Sequence, residues 1–407
     1  FGEFEQLMAI AAAQETSAPF GVRIRLRTTG AGKWADSGGY RSKFGVSLPE
    51  LIDLVERLEA EDAGTWLRLL HFHLGSQISD IQQLRSATKE MAIIAARLGG
   101  CVSLGQGVPS FRTPAHIVAA VTRVLAENPD SGKYSLQTGM AALRRRISAY
   151  LEEEKNIQVD PESEICVTVG GMEALLATVL SVVDEGDEVI LPSPTYASYT
   201  EQVLLAGGIP KFVPLGPQWN LDLQAIERAV TGNTTAVMVC NPGNPTGSLF
   251  SDEQVLALCR LAVERDFVVI TDDAYDYIVY DGDMPVSPLG MAEFRDHVVA
   301  VSSLSKKYGL TGWRVGWVAA AERWMEGIMK VHDATAICAP TPSQYAALAA
   351  LDGDQSCVET MRHKLFERKA LCCARLDRLG DFFSYVPPRG AFYVMGRYLF
   401  SDAPSQE

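Results

Sequence analysis

A lysine at the end of an apolar segment is the residue of this chain whose position could do the most chemistry. Lys306 follows the segment HVVAVSSLS, and Arg314 lies eight residues further on in a glycine-rich turn. A lysine amine can form a Schiff base with an aldehyde. The hydroxyl of Ser303 and the guanidinium of Arg314 can bind a phosphate beside it. The spacing therefore predicts a site for a phosphate-bearing aldehyde, although an isolated SK pair is more often a surface lysine.

Further polar groups follow other apolar segments. Gly170 and Gly171 open a helix after ICVTV, and the N–H groups at a helix start can bind phosphate, although a glycine pair alone is usually a turn. The loop NPGNPTG follows TTAVMVC. Its Asn244 can donate a hydrogen bond, and Pro245 is a candidate for a cis peptide bond.

An aromatic ring and a carboxylate complete the set. Tyr196 follows VILPSP and could lie against a flat heterocycle, although a lone aromatic more often packs in the core. Asp272 follows FVVIT and Tyr275 comes three residues later. A carboxylate buried at the end of a strand is costly unless it is paired. A protonated pyridine nitrogen would be such a partner, so the set predicts a site for pyridoxal phosphate.

The elements that must position these residues are apolar strands that alternate with helices from about residue 115 onward. The predicted strands are residues 165–169, 188–192, 235–240, 267–271 and 298–302. This alternation is typical of an α/β fold in which helices cover both faces of a mainly parallel sheet. Ligands bind such sheets at the carboxyl ends of the strands, where each candidate residue lies.

Composition narrows the class of protein. The net charge of −14 over 407 residues argues against a nucleic-acid or anionic-membrane partner, and no apolar run could span a bilayer. The eight cysteines form no CxxC pair, which predicts reduced, buried thiols and no metal site. The chain begins at Phe1 without a signal-like segment, so we expect a cytoplasmic protein whose true amino terminus is missing.

Together the motifs resemble the class I/II aminotransferases, the aspartate-aminotransferase-like enzymes of fold type I that use pyridoxal phosphate. The resemblance covers about residues 86–407. It implies an amino-terminal arm with part of a small domain at 86–125 and a cofactor-binding large domain at 126–330. A connecting helix and an incomplete small domain would follow at 331–407. The implied reaction transfers an amino group between an α-amino acid and a 2-oxo acid.

The resemblance also implies catalytic roles. Lys306 matches the lysine that forms the internal aldimine and moves the substrate proton. Asp272 matches the acid that keeps the pyridine nitrogen protonated. Tyr275 and Asn244 match the groups that hydrogen bond the phenolic oxygen, and Tyr196 matches the aromatic that stacks on the ring.

The remaining contacts are implied in the same way. The phosphate ligands would be Gly170, Gly171, Met172, Ser303 and Arg314. Gly107, in LGQGVPSF, matches the glycine of the substrate-side loop. Tyr134, in KYSLQTG, matches a tyrosine that reaches the phosphate of the neighbouring subunit, so a homodimer with shared active sites is expected. Lys307 is a rival for the Schiff base, but alternation along an extended backbone would send it to the other face.

The carboxyl end departs from the family pattern. The segment PPRGAFYVMGRYLF resembles the strand that begins the family's last small-domain segment, which ends in an arginine that binds the substrate carboxylate. No arginine follows Arg397, and neither Arg389 nor Arg397 matches that position. We therefore expect cofactor binding with reduced turnover, and a catalytically impaired fragment is an alternative. The substrate preference cannot be read from the sequence.

Residues 1–85 resemble another family, the biosynthetic arginine decarboxylases, whose fold-type-III barrel also uses pyridoxal phosphate. GVRIRL and LLHFHLGSQISD carry the resemblance, in which His73 matches a ring-stacking histidine and Ser76 a phosphate contact. Lys43 belongs to a motif of that family but is not its Schiff-base lysine. An arginine decarboxylase remnant is thus a second candidate function.

This amino-terminal fragment is too short to close a barrel. We expect strands at 21–26 and 67–75 and helices around 2–14 and 48–60, with a further helix capped by Ser86. Two or three strand–helix units cannot bury their strands by closure. The segment is therefore expected to be a partly ordered appendage without a catalytic role. A cofactor-binding gene regulator is disfavoured because residues 1–85 contain no basic helix-turn-helix pattern.

Overall fold

A computed structural model of the chain describes most of the residues after 106 and parts of the segment before it. The described residues are 6, 9, 10, 20–24, 45–61, 63, 66–72, 93, 94, 107–280, 282 and 284–399. The chain divides into two compact units, one of Phe1–Gly107 with Phe400–Glu407 and one of Val108–Leu399. Four positions singled out in the sequence lie outside the described residues, namely Lys43, His73, Ser76 and Ser86.

The amino-terminal unit contains a strand–helix–strand arrangement. Strand β1 (Phe20–Ile24) pairs in parallel with β2 (Leu67–Phe72), and helix α1 (Leu48–Ala60) lies between them in sequence. Leucines at helical spacing on α1, including Leu51 and Leu58, pack with Ile24 in a small buried cluster. A parallel strand pair joined through a helix is the unit from which β/α barrels are built.

The second unit is built on a seven-stranded sheet. Its strands are β3 (Ile165–Thr168), β4 (Glu188–Ser193), β5 (Ile209–Pro214), β6 (Thr234–Cys240), β7 (Val268–Asp272), β8 (Val298–Ser303) and β9 (Gly316–Ala320). They lie in the order β3-β9-β8-β7-β6-β4-β5. Only β9 runs antiparallel to its neighbours, so the predicted mainly parallel α/β sheet is confirmed.

Helices lie before, between and after these strands in the sequence. They are α2 (Ala115–Glu127), α3 (Ala141–Lys155), α4 (Gly170–Val182), α5 (Ala197–Leu205), α6 (Leu223–Ala229), α7 (Asp252–Arg265), α8 (Leu304–Lys307), α9 (Glu322–Ala336), α10 (Thr341–Asp352) and α11 (Ser356–Asp377). Every residue of β3, β7 and β9 is buried. Because successive side chains point to opposite faces of a strand, both faces of the sheet are covered at these strands.

The five predicted strands are present within two residues of their expected bounds, but β5 and β9 were not predicted. Strand β5 (IPKFVP) carries two prolines and an exposed pattern, which is tolerated because it lies at the edge of the sheet. Strand β9 (GWVAA) is rich in glycine and alanine, residues with little intrinsic preference for strands. Its position between β3 and β8 decides its structure.

The prediction of a strand within PPRGAFYVMGRYLF is wrong for most of that segment. Only β11 (Gly396–Tyr398) forms there, antiparallel to β10 (Phe383–Tyr385). The N–H groups of Arg389 and Gly390 instead bond to the carbonyl of Gly247, at 2.8 and 3.1 Å. These bonds hold the segment against the NPGNPTG loop rather than in a strand ladder.

Two further expectations concern the cysteines and membranes. Of the seven described cysteines all are free thiols and four are buried, but Cys372 is exposed on α11, so burial was not predicted correctly for that thiol. None of the helices in the described part of the chain is long and apolar enough to cross a membrane.

Candidate active site

The predicted site residues converge because their strands end at one edge of the sheet. Strands β4, β6, β7 and β8 are parallel, and β3 runs in the same direction because β9 is antiparallel to both β3 and β8. Gly170 comes two residues after the end of β3, Asn244 follows β6, and Asp272 ends β7. Ser303 ends β8, and Lys306 lies in the helical turn that follows.

Asp272 is a buried carboxylate, 8% exposed, held by two donors. The hydroxyl of Tyr199 donates to Oδ2 at 2.7 Å, and the N–H of Ala274 donates to Oδ1 at 3.1 Å. Burial raises the pKa of Asp272 from 3.8 to about 6, and both hydrogen bonds oppose that rise. A cation placed against this carboxylate would stabilise its charged form.

Tyr199 was not predicted as a site residue. It lies three residues after Tyr196 in the first turn of α5, and its side chain is fully buried. The rings of Tyr196 and Tyr199 meet edge to face with centroids 5.5 Å apart. The only signal in the sequence was this spacing, which places two aromatics on one side of a helix but does not reveal a carboxylate partner.

Tyr275 stands between two polar side chains. Asn244 Nδ2 donates to its hydroxyl at 3.4 Å, and its hydroxyl lies 2.7 Å from that of Tyr393. Burial, followed by the neighbouring Tyr393, holds the pKa of Tyr275 far above its ordinary value. The predicted cis peptide bond at Pro245 is present. Tyr393 was not predicted as a site residue, because it belongs to the segment for which a strand was expected.

Lys306 lies in the short helix α8 after Ser303, whose Oγ accepts the N–H of Ser305 at 3.2 Å. Its Nζ is 5.7 Å from the centroid of the Phe392 ring. Burial lowers the pKa of Lys306, Arg314 lowers it further, and Asp272 opposes both. A lysine with a lowered pKa has more of the neutral amine that acts as a nucleophile.

Lys307 points in a different direction from Lys306. Its Nζ donates to the Tyr150 hydroxyl at 3.1 Å and lies 4.7 Å from the centroid of that ring. The expected reason for the separation was wrong, because the two lysines lie on a helical turn rather than an extended backbone. Neighbouring residues on a helix diverge by about 100°, which is enough to separate the two amines.

The start of α4 lies against Arg314 and Ser303. Gly170 has φ +75°, and a Cβ added to it would lie 2.7 Å from Nη2 of Arg314. A Cβ added to Gly171 would lie 3.3 Å from the Cβ of Ser303. The Arg314 guanidinium also donates to the carbonyl of Val169 at 3.4 Å. A guanidinium, a hydroxyl and the N–H groups of a helix start are a donor set suited to a phosphate.

Met172 and Tyr196 extend this group of residues. The Tyr196 hydroxyl donates to Sδ of Met172 at 3.5 Å, and the Tyr196 ring is half-buried. The ring thus connects the start of α4 to the Tyr199–Asp272 pair. The whole arrangement can bind a flat ring that carries a phosphate at one end and a protonated nitrogen at the other.

Tyr134 is 78% exposed in the loop between α2 and α3, and Gly107 belongs to the amino-terminal unit. The Arg389 guanidinium donates to the carbonyl of Leu249 at 3.3 Å, and Arg397 is exposed.

Comparison with known proteins gives two family matches. Residues 99–399 match the family described as aminotransferase class I and II. Residues 1–106 match the pyridoxal-binding domain of the pyridoxal-dependent decarboxylases.

Similar proteins include a probable aspartate aminotransferase of Methanocaldococcus jannaschii. It is 35% identical over 317 residues, which are 76% of this chain and 81% of that protein. An aromatic-amino-acid aminotransferase of Thermococcus litoralis is 32% identical over 328 residues, 79% of this chain and 83% of its own. The structure of the Thermus thermophilus aspartate aminotransferase with maleate superposes with a TM-score of 0.72 at 34% identity. The superposed region covers 76% of this chain and 81% of the Thermus thermophilus chain.

Proposed function

This chain belongs to the class I and II aminotransferases, and we propose from this premise which of its residues bind the cofactor and which do the chemistry. The family and fold predicted from the motifs are thereby confirmed. The protein is a pyridoxal-phosphate-dependent transaminase. The predicted likeness of the amino-terminal segment to arginine decarboxylases is also confirmed at the level of family, and it extends to residue 106 rather than 85.

Pyridoxal phosphate supplies an aldehyde that condenses with amines and a protonated ring that accepts electrons. We propose that Lys306 Nζ binds the aldehyde carbon, and that Asp272 holds the proton on the ring nitrogen. The observation that supports this most is the burial of the Asp272 carboxylate. Burial destabilises the charged form and raises its pKa, and a cation beside the carboxylate would stabilise that charge. Tyr275 and Asn244 would donate hydrogen bonds to the phenolic oxygen.

The phosphate would bind at the start of α4. The N–H groups of Gly170, Gly171 and Met172 would donate to it, together with Ser303 and Arg314. Support comes from the close approach of Arg314 and Ser303 to the two glycines. Tyr196 would stack on the ring.

The proton transfer between the substrate Cα and the cofactor would be carried by Lys306 Nζ. Its lowered pKa favours the neutral amine needed to take a proton. Asp272 and Tyr275 would act with it by stabilising charge at opposite sides of the ring. These three residues are the proposed catalytic group.

The substrates are an amino acid and a keto acid, and we propose an α-amino acid with a 2-oxo acid. Relatives named for aspartate and for aromatic amino acids match this chain about equally, so a panel of both classes is the informative assay. Gly107 is proposed to line the substrate side. We further propose a cytoplasmic homodimer in which Tyr134 reaches the partner's phosphate, for which its exposure is the support.

The proposed domain division keeps the ranges predicted from the sequence, 86–125, 126–330 and 331–407. For residues 1–85 we propose a barrel fragment without catalysis, since the described strands of the amino-terminal unit form a two-stranded sheet. Release of labelled carbon dioxide from carboxyl-labelled arginine would contradict that proposal. A chain that binds the cofactor but does not convert amino acids would be the alternative, a catalytically impaired cofactor-binding protein.

The proposal is tested by reducing the purified protein with borohydride and mapping the modified lysine. We expect the cofactor on Lys306, and the Lys307→Ala variant should be labelled to the same extent. Lys306→Ala should lose both the label and the absorption band of the bound cofactor. Labelling of Lys307 in the parent chain would refute the assignment. Adding amino acids should then convert the band to that of pyridoxamine phosphate.

A further inference from the structure

His332 is a fully buried histidine whose two ring nitrogens both face hydrogen-bond acceptors. It lies on α9 and is 0% exposed. Nδ1 is 3.0 Å from Oε1 of Glu173, and Nε2 is 3.0 Å from the carbonyl oxygen of Gln137. A carbonyl oxygen only accepts, so Nε2 must carry a hydrogen.

The contact with Glu173 requires a second hydrogen. It lies on Nδ1, which makes an imidazolium beside a carboxylate, or on Glu173, which then donates to Nδ1. The pair therefore shares one proton in either arrangement. Loss of that proton would set the Nδ1 lone pair against a carboxylate oxygen in a buried site, where such a contact is repulsive.

The other oxygen of Glu173 acts on the backbone where α4 begins. Oε2 accepts the N–H of Val169 at 3.0 Å, and Val169 immediately precedes Gly170. The carbonyl of the same residue accepts from Arg314. Both polar groups of Val169 are thus fixed by side chains. The turn that presents the first N–H groups of α4 depends on these two contacts.

Gln137 connects the same histidine to the loop that carries Tyr134. Its carbonyl accepts from Nε2 of His332, and its side-chain amide donates to Asp333 at 2.6 Å. Arg144, on α3, donates to the carbonyl of Gly139 in the same loop. His332 therefore joins the start of α4 to this loop through side chains that are buried or partly buried.

The titratable groups that act on the pair are Asp333 on α9, beside His332, and Cys166 in β3, beside Glu173. Arg144 on α3 in turn acts on Cys166. Burial lowers the pKa of His332, but Glu173 raises it and the sum is a raised pKa. Burial raises the pKa of the Cys166 thiol, so that group stays neutral.

We propose that His332 and Glu173 are positioning residues for the cofactor phosphate, because together they hold the Val169–Gly170 turn in the shape that presents N–H groups to it. The inference rests on the proposed function, which puts the phosphate at the start of α4. His332 and Glu173 are not proposed phosphate ligands, and they would affect phosphate affinity only through the turn. Because the pKa of folded His332 is raised, the proton that it shares with Glu173 stabilises the turn at low pH, and this stabilisation is lost as the pH rises. Phosphate binding should therefore weaken at alkaline pH.

The test compares a cofactor with a phosphate and one without. Pyridoxal phosphate and pyridoxal are each titrated into the full-length apoprotein across a pH series, and binding is followed by absorbance. In His332→Leu we expect affinity for pyridoxal phosphate to fall about tenfold, the effect of leaving buried hydrogen-bonding groups unpaired. Affinity for pyridoxal should not change, because it lacks the group being positioned.

Glu173→Gln separates the hydrogen bonds from the shared proton. The amide oxygen can accept from Val169 and the amide nitrogen can donate to a neutral His332. We therefore expect affinity for pyridoxal phosphate close to that of the parent at neutral pH, without the parent's alkaline loss. This variant decides the matter if His332→Leu does not fold. The control is His363→Gln, whose side chain is 73% exposed beside Glu367 on α11.

The ratio of the two affinities is the deciding quantity. An unchanged ratio in His332→Leu, or a Glu173→Gln profile that keeps the parent's alkaline loss, would overturn the inference. Labelling of Lys306 by borohydride would still succeed in that case. The proposed function would then stand without this positioning role.

Discussion

The hydroxyl of Tyr199 donates a 2.7 Å hydrogen bond to Oδ2 of Asp272. The two residues lie on different elements, the first turn of α5 and the end of β7. Because burial pushes the carboxyl toward its protonated form, this bond and that from Ala274 keep it able to ionise at neutral pH. An ionised Asp272 is what a protonated ring nitrogen requires.

Removing the Tyr199 hydroxyl should therefore impair catalysis. In Tyr199→Phe the carboxylate loses a charge-assisted donor, its pKa rises further, and we expect kcat to fall by about tenfold or more. Steady-state kinetics with an amino acid that the parent converts would measure this. Tyr385→Phe is a matched control, because Tyr385 donates to Asp377 at the same 2.7 Å outside the site. Equal losses in both variants would contradict the role of Tyr199.

Asp272 should give the apoprotein a characteristic dependence of stability on pH. Its folded-state pKa of about 6 lies above the ordinary 3.8, so the folded state binds more protons than the unfolded state between these values. The free energy of unfolding should thus fall as pH rises from about 4 to 6, by about 3 kcal/mol from this group.

Denaturant titrations of the apoprotein at several pH values would measure that slope. Subtracting the curve of Asp272→Asn isolates the contribution of Asp272 from that of other carboxylates. Bound pyridoxal phosphate should remove the difference, since a cationic partner lowers the pKa again. A parent and variant with parallel curves would show that Asp272 titrates normally.

Gly170→Ala should weaken cofactor binding through Arg314. The new Cβ would lie 2.7 Å from Nη2, so the guanidinium must move. Gly186→Ala is the matched control, because Gly186 also has a positive φ, +89°, but open space around its Cβ position.

Both glycine variants should lose about 1–2 kcal/mol of stability from the left-handed backbone. Only Gly170→Ala should also lose affinity for pyridoxal phosphate, by about tenfold. Absorbance titration and thermal melting separate the two effects. Equal affinities in the two variants would argue against Arg314 as a phosphate ligand.

Shared active sites predict complementation between a chain with weakened cofactor binding and an inactive chain. Tyr134→Phe should weaken cofactor binding about tenfold by removing a hydrogen bond to the phosphate, and Lys306→Ala should be inactive. In a mixed dimer one site has the native Lys306 together with the partner's native tyrosine. Activity should therefore rise when the chains are refolded together, with about one quarter of all sites native in an equal mixture.

The control for complementation replaces the Lys306→Ala chain by one that carries both substitutions. No native site can form in that mixture, so no rise is expected. A rise of equal size in both mixtures, or in neither, would count against Tyr134 acting across a dimer.

The sequence was informative about the site because the chemistry lies at strand ends. Asp272 ends strand β7, Asn244 lies in the loop after β6, and Lys306 lies in the helical turn after β8. Parallel strands bring such ends together whatever the strand order, so the convergence could be predicted before the order was known.

The parts that were missed depend on tertiary packing. Strand β9 forms from glycine- and alanine-rich sequence because β3 and β8 enclose it. Tyr199 and Tyr393 reach Asp272 and Tyr275 from segments distant in sequence, and no local pattern encodes those distances. The turn of α8 separates Lys306 from Lys307, where an extended backbone was assumed.

The order of the strands has a consequence for how the enzyme is made. Among the described strands, β3, which precedes the start of α4, pairs only with β9, the last strand of the large sheet. During translation, β3 leaves the ribosome long before β9 is synthesised, so β3 has no partner strand until then. The nascent chain has no finished site until Ala320 has left the exit tunnel. We therefore expect pyridoxal phosphate to bind only after this region has been translated. Its binding would then report a late step of folding.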